Sequence, residues 1–169
     1  CTFWNPWHGC TKVSPGCRHC YVYRQDRSRG FAESSLCRRT QAFRLPIQKR
    51  RDGNPKLAPG TLVYTCFTSD FLLEDADIWR DECWNMIRER RDCRFLFFTK
   101  RIHRLRECLP EDWGDGWDHV KIGCTVENQN RADYRLPIFL ELPIRHRSVI
   151  AEPMLERIDL RPWLGPCIE

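Results

Sequence analysis

No stretch of the 169-residue chain approaches the roughly 20 uninterrupted apolar residues that a membrane-spanning helix requires, which excludes an ordinary helical span. Also missing is a basic segment leading into an apolar run, the mark of an export signal. These two absences predict a cytoplasmic protein with no membrane partner. A strong excess of one charge is lacking too. Subtracting 23 acidic from 28 basic residues leaves +5, which suits an ordinary charged surface while leaving room for a nucleic-acid or other anionic partner. The basic runs Arg38-Arg39, Lys49-Arg50-Arg51 and Arg88 to Arg91 lie among acids or beside turns and form no nucleic-acid-binding motif.

What the chain does have is a hydrophobic content of 41%, enough for one domain with a real core. It begins with Cys1 in place of Met and stops at Glu169 just after an apolar segment. The expectation is a single domain over 1–169 that is incomplete at both ends. Cysteine is abundant, with 11 copies. In a small secreted protein that number would suggest a disulfide framework, but here it is odd and no export signal accompanies it. Cys66, Cys83, Cys93, Cys108 and Cys124 sit in apolar segments and read as buried, reduced thiols.

Alternating elements follow. Thr61 to Thr68 is short, β-branched and aromatic, and reads as a buried strand. Residues 75 to 91 place Ile78, Trp79, Cys83, Met86 and Ile87 near helical spacing, with acids first and arginines last. A strand over Arg94 to Thr99, a short helix over Ile102 to Leu109, a strand over Val120 to Val126, a helix from about Asn130 to Leu142 and a strand over Arg147 to Ala151 complete the series. Pro137 must occupy that last helix's first turn or kink it. The polar stretch from Arg24 to Pro59 is predicted to hold one helix near Thr40 to Arg51. Strands alternating with helices at this pitch make a parallel α/β sheet, either a barrel or a doubly wound sheet. In such folds the chemistry sits beyond the carboxyl ends of the strands. Those ends here are Ser69-Asp70, Thr99-Lys100-Arg101, Glu127-Asn128 and Glu152-Pro153, a polar rim.

The segment Trp-Asn-Pro-Trp-His-Gly-Cys-Thr-Lys-Val-Ser-Pro-Gly-Cys-Arg-His-Cys-Tyr from Trp4 to Tyr21 concentrates Cys10, Cys17 and Cys20, separated by six and then two residues. Thiolates bind iron and zinc strongly, and a Cys-x-x-Cys pair delivers two sulfurs to one metal centre. The spacing alone divides between two readings. A structural zinc site needs a fourth ligand, which His8 or His19 could supply. A 4Fe-4S cluster needs only three cysteines and keeps its fourth iron open for a small molecule.

This string resembles the opening motif of a phage-associated, uncharacterised domain family placed in the radical S-adenosylmethionine (SAM) superfamily. The resemblance continues through Phe67-Thr68-Ser69-Asp70-Phe71-Leu72, Phe98-Thr99-Lys100-Arg101, Gly123 to Asp133 and Ala151-Glu152-Pro153-Met154. Members usually continue into a further strand and a Gly-Gly-Glu-Ser-Gly-like segment that this chain lacks. The gap of six residues also departs from the gap of three commonest in the superfamily.

The resemblance implies a partial (β/α) barrel of the TIM type, with a cluster-binding loop within residues 1–23 after a first strand at or before Cys1. It implies Cys10, Cys17 and Cys20 as ligands of a 4Fe-4S cluster, and SAM chelating the open iron through its amino and carboxylate groups. An external donor's electron would then split the sulfonium to a 5′-deoxyadenosyl radical acting on an unknown substrate, with a nucleic acid or nucleotide suggested by the basic excess. His19 falls where an aromatic ring often lies near the adenine. Ser69 and Asp70 would bind SAM's amino or ribose groups. Lys100, Arg101, Glu127 and Glu152 would bind carboxylate, ribose or substrate. The competing reading is a non-catalytic nucleic-acid-binding module stabilised by zinc or an iron–sulfur centre.

Overall fold

The computed structural model describes residues 1–31, 33–165 and 168. In chain order its elements are β1 (Thr2–Trp4), β2 (Trp7–His8), α1 (Tyr21–Ser28), β3 (Arg38–Arg39), β4 (Leu62–Thr65), α2 (Asp77–Glu89), β5 (Arg94–Thr99), α3 (Leu105–Cys108), β6 (Val120–Thr125), α4 (Gln129–Glu141) and β7 (His146–Ile150). Five strands form one sheet in the order β1-β4-β5-β6-β7, and every neighbouring pair is parallel. Among the described residues the order follows the chain without reversal, so these five strands contain no switch point of a doubly wound fold. No helix among the described residues is long and apolar enough to cross a membrane.

Strand alternation divides the sheet into two unlike faces. Val63, Phe95, Phe97, Val120, Ile122 and Cys124 are almost wholly buried. Against them pack α2 and the segment that precedes it: Phe71 lies 4.7 Å from Phe97, and Trp84 of α2 lies 5.0 Å from Phe71 between ring centroids. Trp84 also meets Trp113 and Trp117 and donates from Nε1 to the Cys108 carbonyl at 2.7 Å. This is the core. On the opposite face Phe3 is exposed and Leu62, Tyr64, Leu96 and Phe98 are half-buried.

Several expectations are corrected. The stretch Thr40 to Arg51 holds a 3-10 turn over Leu45–Ile47 and no α-helix, because Pro46 lacks the N–H that a longer helix would need. The cysteine loop is shorter than residues 1–23, since α1 begins at Tyr21. The first strand starts at Thr2, inside the chain. The strand expected over Thr61 to Thr68 stops at Thr65, where Cys66 takes a positive φ of 64° and turns the chain out of the sheet. Pro137 lies well inside α4, which continues past it. That helix starts one residue early because the Asn128 side chain caps it, accepting from Arg131 N at 2.9 Å. Cys66, Cys83, Cys93, Cys108 and Cys124 are all buried, and the ten described cysteines are free thiols.

Candidate functional site

The loop between β1 and α1 lies across the carboxyl edge of the sheet, and its attachments are specific. Asn5 Oδ1 accepts from Thr68 N at 3.1 Å, and Trp7 Nε1 donates to the Asp70 carbonyl at 3.2 Å. Gly9 N donates to the Thr68 carbonyl at 3.3 Å, while the Ser69 hydroxyl donates to the Gly9 carbonyl. The short ribbon of β2 and β3 braces the loop from the side. His8 in β2 reaches α1, its Nε2 lying 2.8 and 3.0 Å from the two Asp26 carboxylate oxygens. Burial alone would raise the Asp26 pKa, but hydrogen bonds from His8 and Ser34 outweigh it and hold the carboxyl below its ordinary value. His8 is thus taken up in docking α1.

Each cysteine has its own backbone setting. Cys10 follows Gly9, whose φ is +99° and whose added Cβ would lie 2.2 Å from the Leu36 carbonyl oxygen. Only glycine fits that close approach. We expect Gly9→Ala to destabilise the fold by about 1–3 kcal/mol through strain and overlap, as a lowered denaturation midpoint, and to displace Cys10. Cys17 ends a 3-10 turn (Pro15–Cys17) and Cys20 is the residue capping α1.

Cys10, Cys17 and Cys20 all line one cavity of about 380 Å³. His19, Ser69, Asp70, Lys100, Arg101 and Glu152 share that lining. Among the described residues no three His, Cys, Asp or Glu side chains converge closely enough to ligate a single ion. Burial pushes the Cys10 thiol up to about 12, with Asp70 adding to the rise and Arg101 opposing it, so without a bound cation this sulfur stays protonated.

Arg101 is the most heavily committed side chain at the site. It is 1% exposed. Nη2 donates to the Thr11 carbonyl at 2.9 Å and to Thr11 Oγ1 at 2.7 Å. Nη1 lies 3.6 Å from Cys10 Sγ and 3.5 Å from Asp70 Oδ2, and Nε donates to Glu74 at 3.1 Å. The guanidinium therefore fastens the cysteine loop to β5 and places positive charge beside a sulfur. Asp70 is equally occupied, accepting from Leu72 N at 3.0 Å, Thr99 Oγ1 at 2.8 Å and Lys100 N at 3.0 Å. It organises the rim and has little capacity left for a ligand. Ser69 likewise spends its hydroxyl on the loop. Lys100 Nζ reaches the Glu152 carbonyl at 3.3 Å, and with His19 and the Glu152 carboxylate it is better placed to meet an incoming molecule.

Glu127 stands apart from this group. It is fully buried, is paired to Arg135 of α4 with Oε2 2.6 Å from Nη1, and does not line the cavity. Its side chain lies beneath Gly16, where an added Cβ would approach it to 3.0 Å. Glu127 therefore supports the cysteine loop from below. The sequence reading missed Thr11, Tyr23, whose hydroxyl donates to the Cys10 carbonyl, and the ring pair Phe67 and Phe98 on the cavity wall.

Comparison with curated proteins and with solved structures gave no match. A family model does match, over residues 2–164 of the chain. Since that match spans nearly the whole sequence, the chain belongs to the family described as "Protein of unknown function (DUF5131)".

Proposed function

We propose that this chain is an iron–sulfur enzyme of the radical SAM type, holding a 4Fe-4S cluster on Cys10, Cys17 and Cys20 within a partial (β/α) barrel. The observation that carries the reading is that three free cysteines from one loop line one cavity, at the carboxyl edge of a parallel sheet. The donor set fits the group. A single ion asks its ligands to converge on a point, whereas a cubane offers separate iron corners to separate thiolates, and the three cysteines line a shared cavity. Strand order without reversal is what an opened barrel would have, and a barrel's chemistry belongs at this edge.

When bound, the cluster would supply an electron to SAM's sulfonium, releasing a 5′-deoxyadenosyl radical for an unknown substrate. This chain's residues do the positioning. Arg101 offsets thiolate charge at Cys10 and fixes the loop. Asp70 orients Thr99, Lys100 and Arg101 as one unit. Lys100, His19 and Glu152 offer a cation, a ring and a carboxylate to SAM or substrate. A non-catalytic nucleic-acid-binding module stabilised by zinc or an iron–sulfur centre is the alternative; with His8 committed to Asp26, its zinc form would draw on His19, which lines the cavity with the three cysteines.

Anaerobic purification tests the assignment. The expected protein is brown, contains iron and sulfide, and forms 5′-deoxyadenosine when given SAM and a strong reductant. A colourless protein carrying one zinc would overturn it.

A further inference from the structure

The cation set against the Cys10 sulfur is tied, at its other end, to a carboxylate at the surface. Arg101 Nη1 donates to Cys10 Sγ at 3.6 Å, while its Nε donates to Glu74 Oε2 at 3.1 Å. The guanidinium is a planar group with one delocalised charge, so the sulfur and the carboxylate draw on the same charge. Glu74 opens a 3-10 turn (Glu74–Ala76) just before α2, and its side chain is 53% exposed. Burial alone would raise its pKa, but its own backbone N–H and the charges of Arg101 and Arg104 outweigh that and hold the carboxyl below its ordinary value. It is therefore ionised at neutral pH.

The other partners of Arg101 act differently. Thr11 is neutral and fixes the loop. Asp70 is buried, lies farther off at 3.5 Å, and already accepts from Leu72 N, Thr99 Oγ1 and Lys100 N. Glu74 is the nearer carboxylate and the one in touch with solvent. Cys17 has a neutral neighbour instead, the Ser14 hydroxyl at 3.8 Å. A hydrogen bond or positive charge at a ligand sulfur favours the reduced, more negative form of a cluster, and a carboxylate sharing that charge opposes it.

We propose that Glu74 is a positioning residue that acts through Arg101: it draws positive charge away from Cys10, lowers the reduction potential of the cluster, and so keeps the reduced cluster a stronger electron donor. The inference rests on the 4Fe-4S reading. Glu74→Gln isolates the charge, because the amide oxygen can still accept from Arg101 Nε, and an exposed position leaves the core intact. The test is a redox titration of the anaerobically purified protein, followed by electron paramagnetic resonance without SAM. At a fixed poise Glu74→Gln should raise the reduced-to-oxidised ratio at least about threefold, roughly 28 mV for a one-electron couple; solvent screening keeps the effect modest. Glu107→Gln is the matched control. That carboxylate is 62% exposed and bonds Arg104 instead of Arg101, so its loss should leave the midpoint where it is.

An unmoved midpoint in Glu74→Gln would overturn the proposal, as would a downward shift. An equal rise in Glu107→Gln would assign the effect to bulk surface charge and also overturn it. Unchanged circular dichroism and iron content confirm that each variant is folded and loaded. A parent without iron and sulfide removes the ligand reading and this inference with it, whereas a loaded parent whose midpoint ignores Glu74 removes the inference alone.

Discussion

Cys17→Ala is expected to abolish iron and sulfide incorporation while leaving the protein folded. Cys17 is only half-buried, and its sulfur makes one weak contact, 3.8 Å from Ser14 Oγ. Losing the thiol therefore removes little packing, yet under the proposed ligation it removes one of the cluster's three anchors. Cys83→Ala is the matched control. That thiol is fully buried in the core, so its loss should lower stability and leave the iron content untouched. Metal and sulfide analysis of both variants, alongside urea denaturation, separates a ligand from a buried thiol. Full iron retention in Cys17→Ala would remove this residue from the ligand set.

Arg101→Met should cost about 3–5 kcal/mol of stability, the usual result of removing one partner from a buried ion pair. The side chain touches Thr11, Cys10, Asp70 and Glu74, so its loss leaves the buried Asp70 carboxylate without its cation and the cysteine loop without its strongest tie to the sheet. Arg101→Lys keeps charge but not the planar fork, so it should recover part of the stability without restoring both Thr11 contacts. Denaturant titration gives the first quantity. Faster alkylation of Cys10 in the metal-free variant gives the second, because a freed loop exposes that sulfur. Parent-like stability and reactivity in Arg101→Met would show that the loop is held by other means.

Much of the scaffold was readable beforehand because its strands are apolar runs with sharp polar ends. Val63, Phe95, Phe97 and Ile122 announce burial through side-chain type alone, and strand ends in a parallel sheet must share one edge. That reasoning brought Ser69, Asp70, Lys100, Arg101 and Glu152 to the cavity lining. It could not say which were already spent. Asp70 and Arg101 look free in a sequence, and only the turn at Cys66 and the return of the loop through Thr11 bring their partners within reach. Helix α1 escaped notice because Tyr-Val-Tyr-Arg-Gln-Asp-Arg-Ser buries only Val22 and Asp26, too little for an apolar stripe. The partner of Glu127 did leave a trace. Arg135 sits among Ala132, Leu136 and Phe139 on the buried side of α4, and a cation on an apolar stripe requires a buried anion.

The clamp on the cysteine loop has a consequence for the order in which this protein is made. Thr11 and Arg101 are 90 residues apart in the chain, so the thiols leave the ribosome well before the side chain that secures them. At about 5–20 residues per second, roughly 5 to 20 seconds separate the two events. For that interval Cys10, Cys17 and Cys20 ride on a nascent segment without its anchor, open to oxidation until the fifth strand and the arginine that follows it arrive.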